Sequence, residues 1–144
     1  MEKLYNSSYL FYLKLFFIGG VSTFSLPPFS IFPLIFILGY GIHIINNVNS
    51  LKKIFYSGWF LGFGWFSFGL YWIGSAFLVS NTYQVFLMPL AVIILPSVLA
   101  VFWGLAFLLA KLISYRIRSS ILLIIVTLSL SEYIRSHIFT GFPW

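Results

Sequence analysis

Long apolar runs alternate with short polar or proline-containing breaks along the whole chain. A helix that crosses the hydrocarbon core of a bilayer needs about 20 apolar residues, because about 30 Å must be spanned at about 1.5 Å per residue. The pattern therefore predicts an all-α protein, a polytopic integral membrane bundle of about five transmembrane helices. The predicted spans cover residues 9–26, 31–46, 54–77, 86–111 and 119–139.

Prolines interrupt this pattern at two places. The first two runs are short and are separated by PPFS, where Pro27 and Pro28 cannot donate backbone hydrogen bonds and restrict the residues before them. We expect a tight hairpin there. The fourth run contains Pro89 and Pro96, and each removes one hydrogen bond of a helix, so we expect this span to kink.

Composition excludes a water-soluble globule. Hydrophobic residues make up 61% of the chain and charged residues only 7%, whereas a soluble domain keeps about 25% of its residues charged. The net charge of +6 does not indicate nucleic-acid binding, because the basic residues are scattered at the ends of spans and form no continuous face. The membrane is therefore the expected partner, and nucleic acid is not.

The basic residues also predict the topology. Lysine and arginine in short loops stay on the cytoplasmic side of a membrane. Here they lie before the first span, between the second and third, and between the fourth and fifth: Lys3, Lys52, Lys53, Lys111, Arg116 and Arg118. The amino terminus is therefore predicted to be cytoplasmic and the Trp144 end to be outside. Lys14 lies within the first span, where its long stem can carry the ammonium group to the inner surface.

Few residues offer catalytic chemistry. The chain has no cysteine and no aspartate, and its two glutamates lie near opposite ends of the sequence. A thiol nucleophile or a paired-carboxylate site within this chain is therefore excluded. His43 and His137 lie on separate spans without the spacing of a metal site, so we expect neither a metal nor a cofactor.

Small and aromatic residues are concentrated in the third span. Gly58 and Gly62 form a G-x-x-x-G step and Gly69 follows seven residues later, a spacing that lets a neighbouring helix approach closely. Helix packing is the simplest interpretation. The aromatic residues on other faces, among them Trp59, Trp65, Tyr71 and Trp72, either shape a groove for an acyl chain or are ordinary residues facing lipid and the membrane surface.

The fifth span carries a charged pair. Glu132 and Arg135 are three residues apart, so their side chains share one face of a helix. They are either a structural ion pair near the outer interface or a device that positions a loop or a polar headgroup there. Gly141 and Pro143 then end the helix, and Phe142 and Trp144 are expected at the aromatic belt, where a shaped outer loop begins.

In their order along the chain, several segments resemble the bacterial apolipoprotein N-acyltransferase family. STFSLPPFSIFPL resembles the first hairpin of the family, and GWFLGFGWFSFGLYWIGSAFLV its third span, which is rich in glycine and aromatic residues. MPLAVIILPSVLAVFWGLAFLLAKL resembles the fourth span, and SEYIRSHIFTGFPW the fifth span with its outer loop. The combination of GLYWI and TGFPW is what makes the resemblance specific.

The resemblance implies an enzyme of the bacterial inner membrane that transfers an acyl chain from a phospholipid to the amino group of a lipoprotein's N-terminal diacylglyceryl cysteine. In that family an outward-facing nitrilase-like domain with a Glu, Lys and Cys triad does the chemistry. This chain has no cysteine and ends before such a domain, so no catalytic residue can be assigned in it. We expect it to be the amino-terminal membrane domain of a longer protein, inactive alone.

Two hypotheses follow. In the first, the chain anchors a catalytic domain and shapes lateral access for phospholipid and lipoprotein. In the second, it is a small polytopic scaffold or assembly protein without catalysis. The residues expected to shape access or to position the outer loop are Tyr71, Trp72, Glu132, Arg135, Phe142, Pro143 and Trp144.

Overall fold

Five α-helices follow one another in the computed structural model, which describes residues 2–74, 86, 88–114 and 120–138, with side chains from residue 8 in the first helix and from residue 121 in the last. They are α1 (Glu2–Ser22), α2 (Ile35–Asn46), α3 (Leu51–Gly69), α4 (Met88–Ser114) and α5 (Ser120–Ile138). The described part of the chain contains no β-strand. The predicted all-α fold class is confirmed.

The chain reverses direction between α1 and α2. Two short 3-10 helices, Thr23–Ser25 and Phe32–Leu34, flank the proline turn, in which the Pro27–Pro28 peptide bond is cis. The backbone N–H of Ile31 donates to the carbonyl oxygen of Phe24 at 3.0 Å and closes the turn. Pro27 and Pro28 exclude a continuous helix here, and α2 therefore returns along α1.

Helix α3 makes the most extensive contacts with its neighbours in the bundle. Helix α3 contacts α1 on one side and α4 on the other, α2 packs against α1, and α5 packs against α4. Leu15, Leu61, Leu99 and Phe107 are completely or almost completely buried at these contacts. The position of α5 on α4 brings the charged pair next to α4.

Two helices have the length and apolarity of membrane spans. Mean hydropathy reaches 2.6 in α4 and 1.5 in the Ile121–Ile138 part of α5. The segment Phe32–Asn46, which includes α2, is apolar but shorter, and no membrane span is indicated for α1 or α3 by the same criterion. Basic residues in α1 and α3, together with the four Gly, two Ser and one Tyr of α3, lower the hydropathy of these helices. The fold is a helical membrane bundle, while the number of five spans remains a prediction.

The ends of the helices differ from the predicted spans. Helix α1 begins at Glu2, before the predicted start at residue 9, because polar residues outside the apolar run are also helical. Helix α3 ends at Gly69, whereas the predicted span continues to residue 77. Glycine is a weak helix former, and Leu70 leaves helical geometry with φ −107° and ψ 13°.

Helix α4 continues through Pro96, which is buried. The Ser97 hydroxyl donates to the Ile93 carbonyl oxygen at 2.7 Å, and the indole N–H of Trp59 on α3 donates to the Ser97 carbonyl oxygen at 3.0 Å. Near Pro96, where one backbone hydrogen bond of the helix is missing, a side chain of α4 and a side chain of α3 thus each donate a hydrogen bond to a backbone carbonyl oxygen. The kink expected from Pro89 and Pro96 remains a prediction.

Candidate functional site

A polar cluster lies between α3, α4 and α5, built from Glu132, Arg135, Trp103 and Phe66. Glu132 Oε2 and Arg135 Nη2 form an ion pair within α5. The indole Nε1–H of Trp103 on α4 donates to Glu132 Oε1 at 2.6 Å. The Arg135 guanidinium carbon is 5.1 Å from the ring centroid of Phe66 on α3, within the range of a cation–π interaction. One carboxylate therefore connects α5 to α4, and one guanidinium connects α5 to α3.

The two side chains of the ion pair differ in their exposure to solvent. The side chain of Arg135 is only 3% exposed, and that of Glu132 is 38% exposed. Arg135 lies in the last turn of α5, yet its contacts are inside the bundle. Burial of an unpaired charge is costly, and Glu132 and the aromatic face of Phe66 are among the contacts that offset this cost for Arg135.

The cluster depends on the space that α3 leaves for the ring of Trp103. Its ring stacks against Trp65 at 5.8 Å between centroids and meets Phe66 edge-on at 5.7 Å. The backbone of Gly62 provides the room, since a Cβ at that position would lie 2.9 Å from Trp103 Cβ. A small residue on α3 thus lets the indole reach Glu132.

The three glycines predicted to pack face different neighbours in the structure. Gly58 lies against Phe107 of α4, where an added Cβ would be 2.6 Å from a ring carbon. Gly62 lies against Trp103. Gly69 faces the hairpin instead, with Thr23 Cγ2 at an ordinary contact distance of 3.7 Å from such a Cβ. Two of the three therefore form the α3–α4 contact.

An apolar groove of about 170 Å³ lies between α4 and α5, and its lining does not include the residues of the cluster. Leu105 and Leu109 of α4 and Leu130 and Ile134 of α5 are among its lining residues. Ser131 also lines it, but its hydroxyl donates to the Phe102 carbonyl oxygen at 2.9 Å, which satisfies the polar group. The groove thus presents a carbon surface on the two helices that carry Trp103 and the charged pair.

The other predicted site residues lie elsewhere. Tyr71 and Trp72 are 59% and 49% exposed in the turn that follows α3. Tyr71 lines a hollow of about 50 Å³ together with the Pro27–Pro28 turn, at a distance along the bundle from the α4–α5 groove. Phe142, Pro143 and Trp144 lie outside the described residues.

Sequence reasoning missed Trp103 and Phe66 as members of the site, whereas Trp65 was among the aromatic residues that it named in the third span. Trp103 is one aromatic residue in a long apolar run, and periodicity alone does not distinguish it from a lipid-facing tryptophan. The indole N–H of Trp103 could have pointed to the site, because a buried donor needs an acceptor. The neighbouring span offers Glu132 as such an acceptor.

The architecture and the cluster together define the class of protein. It is a helical membrane domain in which charged and indole groups meet between the helices. The sequence model of the apolipoprotein N-acyltransferase N-terminal domain matches residues 18–144, and the chain belongs to this family. The match contains the whole cluster and the glycines of α3.

Several curated relatives carry the name apolipoprotein N-acyltransferase. The Rhodopseudomonas palustris protein is 39% identical over 132 residues, which cover 88% of this chain and 25% of the relative. The Sinorhizobium fredii protein is 39% identical over 139 residues, covering 90% and 26%, and the Brucella suis protein is 36% identical over 142 residues, covering 92% and 27%. This chain therefore spans about a quarter of the length of these relatives. No solved structure matches it.

Proposed function

We propose that this chain serves as the membrane domain of an apolipoprotein N-acyltransferase. It holds the catalytic part at the membrane and shapes lateral access for the substrates. The reaction of the whole enzyme is transfer of an acyl chain from a phospholipid to the N-terminal diacylglyceryl-cysteine amine of a lipoprotein. The proposed location is the bacterial inner membrane, with the amino terminus in the cytoplasm and the Trp144 end outside.

One structural observation carries the access role, namely an apolar groove between α4 and α5, the two helices that the Trp103–Glu132 hydrogen bond joins. A lipid substrate presents a charged headgroup and an apolar chain, and it needs adjacent surfaces of both kinds. The groove offers carbon to the chain. The partly exposed Glu132 offers a polar edge, while the buried Arg135 fixes the direction of that carboxylate.

The role of the cluster in this proposal is geometric. Arg135 contributes a planar group of hydrogen-bond donors, which suits it to holding a carboxylate in place. Glu132 is held by Arg135 and by Trp103, which orients its carboxylate relative to α4. The cluster therefore positions the end of α5 and the segment after it, where Phe142, Pro143 and Trp144 begin the proposed outer loop.

The chemical step belongs to another part of the enzyme. The sequence contains no cysteine, and acyl transfer through a thioester needs a thiolate with a neighbouring base. We assign that step to a nitrilase-like domain in the part of the relatives that this chain does not cover. This chain alone is expected to form no acyl-enzyme.

A chimera tests the proposal. The segment of the Rhodopseudomonas palustris enzyme that aligns with this chain is replaced by this chain, and the chimera is expressed in cells depleted of their own enzyme. Mass spectrometry of a lipoprotein's N-terminal peptide then distinguishes the diacyl from the triacyl form. We expect the triacyl form to return.

Two further chimeras are the controls. One carries the aligned segment of the Brucella suis relative and shows that exchange of this domain is tolerated. The other carries an unrelated five-helix anchor. If the Brucella chimera is active while the chimera with this chain reaches the membrane at the same level and is inactive, the proposal is wrong. Activity with the unrelated anchor would reduce the role to anchoring and contradict the shaping of access.

A further inference from the structure

A second cleft lies at the opposite end of the bundle from the charged pair. It has a volume of about 500 Å³, is open on one side, and is bordered by the start of α1, the connection between α2 and α3, and the first turn of α3. This volume is within the range of about 300–1,000 Å³ that is usual for sites of small ligands. The polar residues that line it are Ser8, Tyr12, Asn49, Ser50 and Lys53.

The lining favours an anion. Lys53 supplies an ammonium group, and Ser8, Ser50 and Asn49 supply hydroxyl and amide donors. The Ser50 side chain makes no capping hydrogen bond to α3, although Ser50 is the residue before that helix. Among the described residues that line the cleft, none is acidic. A ligand with several acceptor oxygens and a negative charge fits this set of groups.

The surroundings indicate a lipid. Tyr56 lies one helical turn from Lys53 and is 51% exposed, and its ring is 6.5 Å from that of Tyr12. Tyr12 in turn stacks on Phe60 at 5.1 Å. An aromatic strip therefore leads from the polar cleft along the contact of α1 and α3. Tyrosine at such a boundary is typical of the membrane surface, where one end of the side chain is apolar and the other is polar.

We propose that this cleft binds the phosphate headgroup of an anionic membrane phospholipid, whose acyl chains lie along the Tyr12–Tyr56 strip. Phosphatidylglycerol is the simplest ligand of this chemistry. A zwitterionic lipid adds an ammonium group, for which the described lining has no carboxylate partner. The site lies at the end of the bundle where α1 begins, so it is separate from the proposed access region for the acyl donor and does not depend on the proposed enzymatic function.

Lipid binding to the purified chain tests the proposal. The chain in detergent is titrated with phosphatidylglycerol, and bound lipid is counted by native mass spectrometry. Phosphatidylethanolamine and inorganic phosphate are titrated in parallel arms. We expect phosphatidylglycerol to bind more tightly than phosphatidylethanolamine, and Lys53→Gln to weaken it about fivefold or more, as loss of one basic residue near an anionic lipid implies.

Lys52→Gln is the matched control, because Lys52 is the adjacent lysine in the same turn and is not among the residues lining the cleft. It should change the affinity less than twofold. Ser50→Ala provides a second variant in the lining, for which we expect a smaller loss in the same direction. Circular dichroism and size-exclusion chromatography show which variants are folded.

Equal weakening by Lys52→Gln and Lys53→Gln would overturn the proposal, because it would show diffuse attraction to a basic surface. Equal affinity for phosphatidylglycerol and phosphatidylethanolamine would also overturn it. If inorganic phosphate displaces phosphatidylglycerol at comparable concentration, the cleft is a site for soluble anions and the lipid assignment is wrong. If Lys53→Gln does not fold, the affinities of Ser50→Ala and Lys52→Gln for phosphatidylglycerol are compared instead. An undiminished affinity in Ser50→Ala would then contradict the proposal.

Discussion

Replacing Gly64 by alanine tests the closest contact between two helices in the bundle. A Cβ on Gly64 would overlap the Phe16 carbonyl oxygen of α1, lie 2.8 Å from the Phe16 carbonyl carbon and lie 3.0 Å from the Gly20 nitrogen. The contact is reciprocal, because a Cβ on Gly19 of α1 would overlap the Leu61 carbonyl oxygen and lie 2.9 Å from the Trp65 nitrogen. The backbones of α1 and α3 therefore touch directly.

The size of the effect follows from the kind of atoms involved. A side chain can rotate away from an added methyl group, but a backbone carbonyl within a helix cannot, so α1 and α3 must separate at Gly64. Overpacking usually costs about 1–3 kcal/mol, and the absence of a flexible neighbour favours the upper part of this range. Alanine regains up to about 1 kcal/mol through its higher helix propensity. We expect a net loss of about 1–2 kcal/mol in the free energy of unfolding.

Gly39→Ala is the matched control. Gly39 lies in α2, and a Cβ there would meet no atom within 4 Å, so this variant gains the helix propensity without the collision. Both variants are purified in the same detergent, and their unfolding is followed by tryptophan fluorescence during heating and titration with a denaturing detergent. The expected order of stability is Gly64→Ala below wild type, with Gly39→Ala equal to or above wild type.

The reasoning would be refuted if Gly64→Ala were as stable as Gly39→Ala. Such a result would mean that α1 and α3 are not in backbone contact at this level of the bundle. A loss confined to Gly64→Ala, with unchanged helix content by circular dichroism, would instead locate the defect in the packing of helices rather than in the helices themselves.

Three other predictions use different features. Trp103→Phe keeps most of the apolar volume but removes the hydrogen bond to Glu132. We expect the free energy of unfolding to fall by about 1–2 kcal/mol, which lies between the values for hydrogen bonds between membrane helices and those for hydrogen bonds to charged groups. An unchanged free energy of unfolding would contradict the hydrogen bond. Gly62→Leu should lower the thermal stability strongly, because it displaces the indole seated there, and normal stability would show that Gly62 faces lipid. Reporter fusions after Lys53 should report the cytoplasm and fusions at Asn81 the outside, and the opposite pattern would contradict the predicted topology.

The sequence predicted the class of fold because hydropathy is a property of whole segments. Long apolar runs and a low content of charge do not depend on the neighbours of any single residue. Pro27 and Pro28 predicted a break because their effect is local as well. The ends of the helices could not be predicted as well. Helix α1 extends into polar residues and α3 ends at Gly69, and hydropathy reports neither of these boundaries.

The partners of individual residues could not be predicted from spacing. The G-x-x-x-G step directed attention to Gly58 and Gly62, whereas Gly64, two residues further, makes the tightest contact that α3 forms with α1. All three glycines are consistent with a close helix, and only the arrangement of helices decides which neighbour each one meets. The ion pair of Glu132 and Arg135 was accessible because it lies within one helix.

The link between packing and the polar cluster has a physical consequence for the membrane domain. Lipid is as apolar as the helix surface, so the hydrophobic effect does not hold these helices together, and close contact and hydrogen bonds between helices must do so. Here the two are combined, since Gly62 makes room for Trp103 and Trp103 holds Glu132. Glu132 then holds Arg135, whose guanidinium returns to Phe66, one turn from Gly62 on the same helix. The orientation of α5 is therefore set by a closed ring of contacts through α3 and α4. A change in the packing of α3 should reach the end of α5 through this ring, without any change in the sequence of α5 itself.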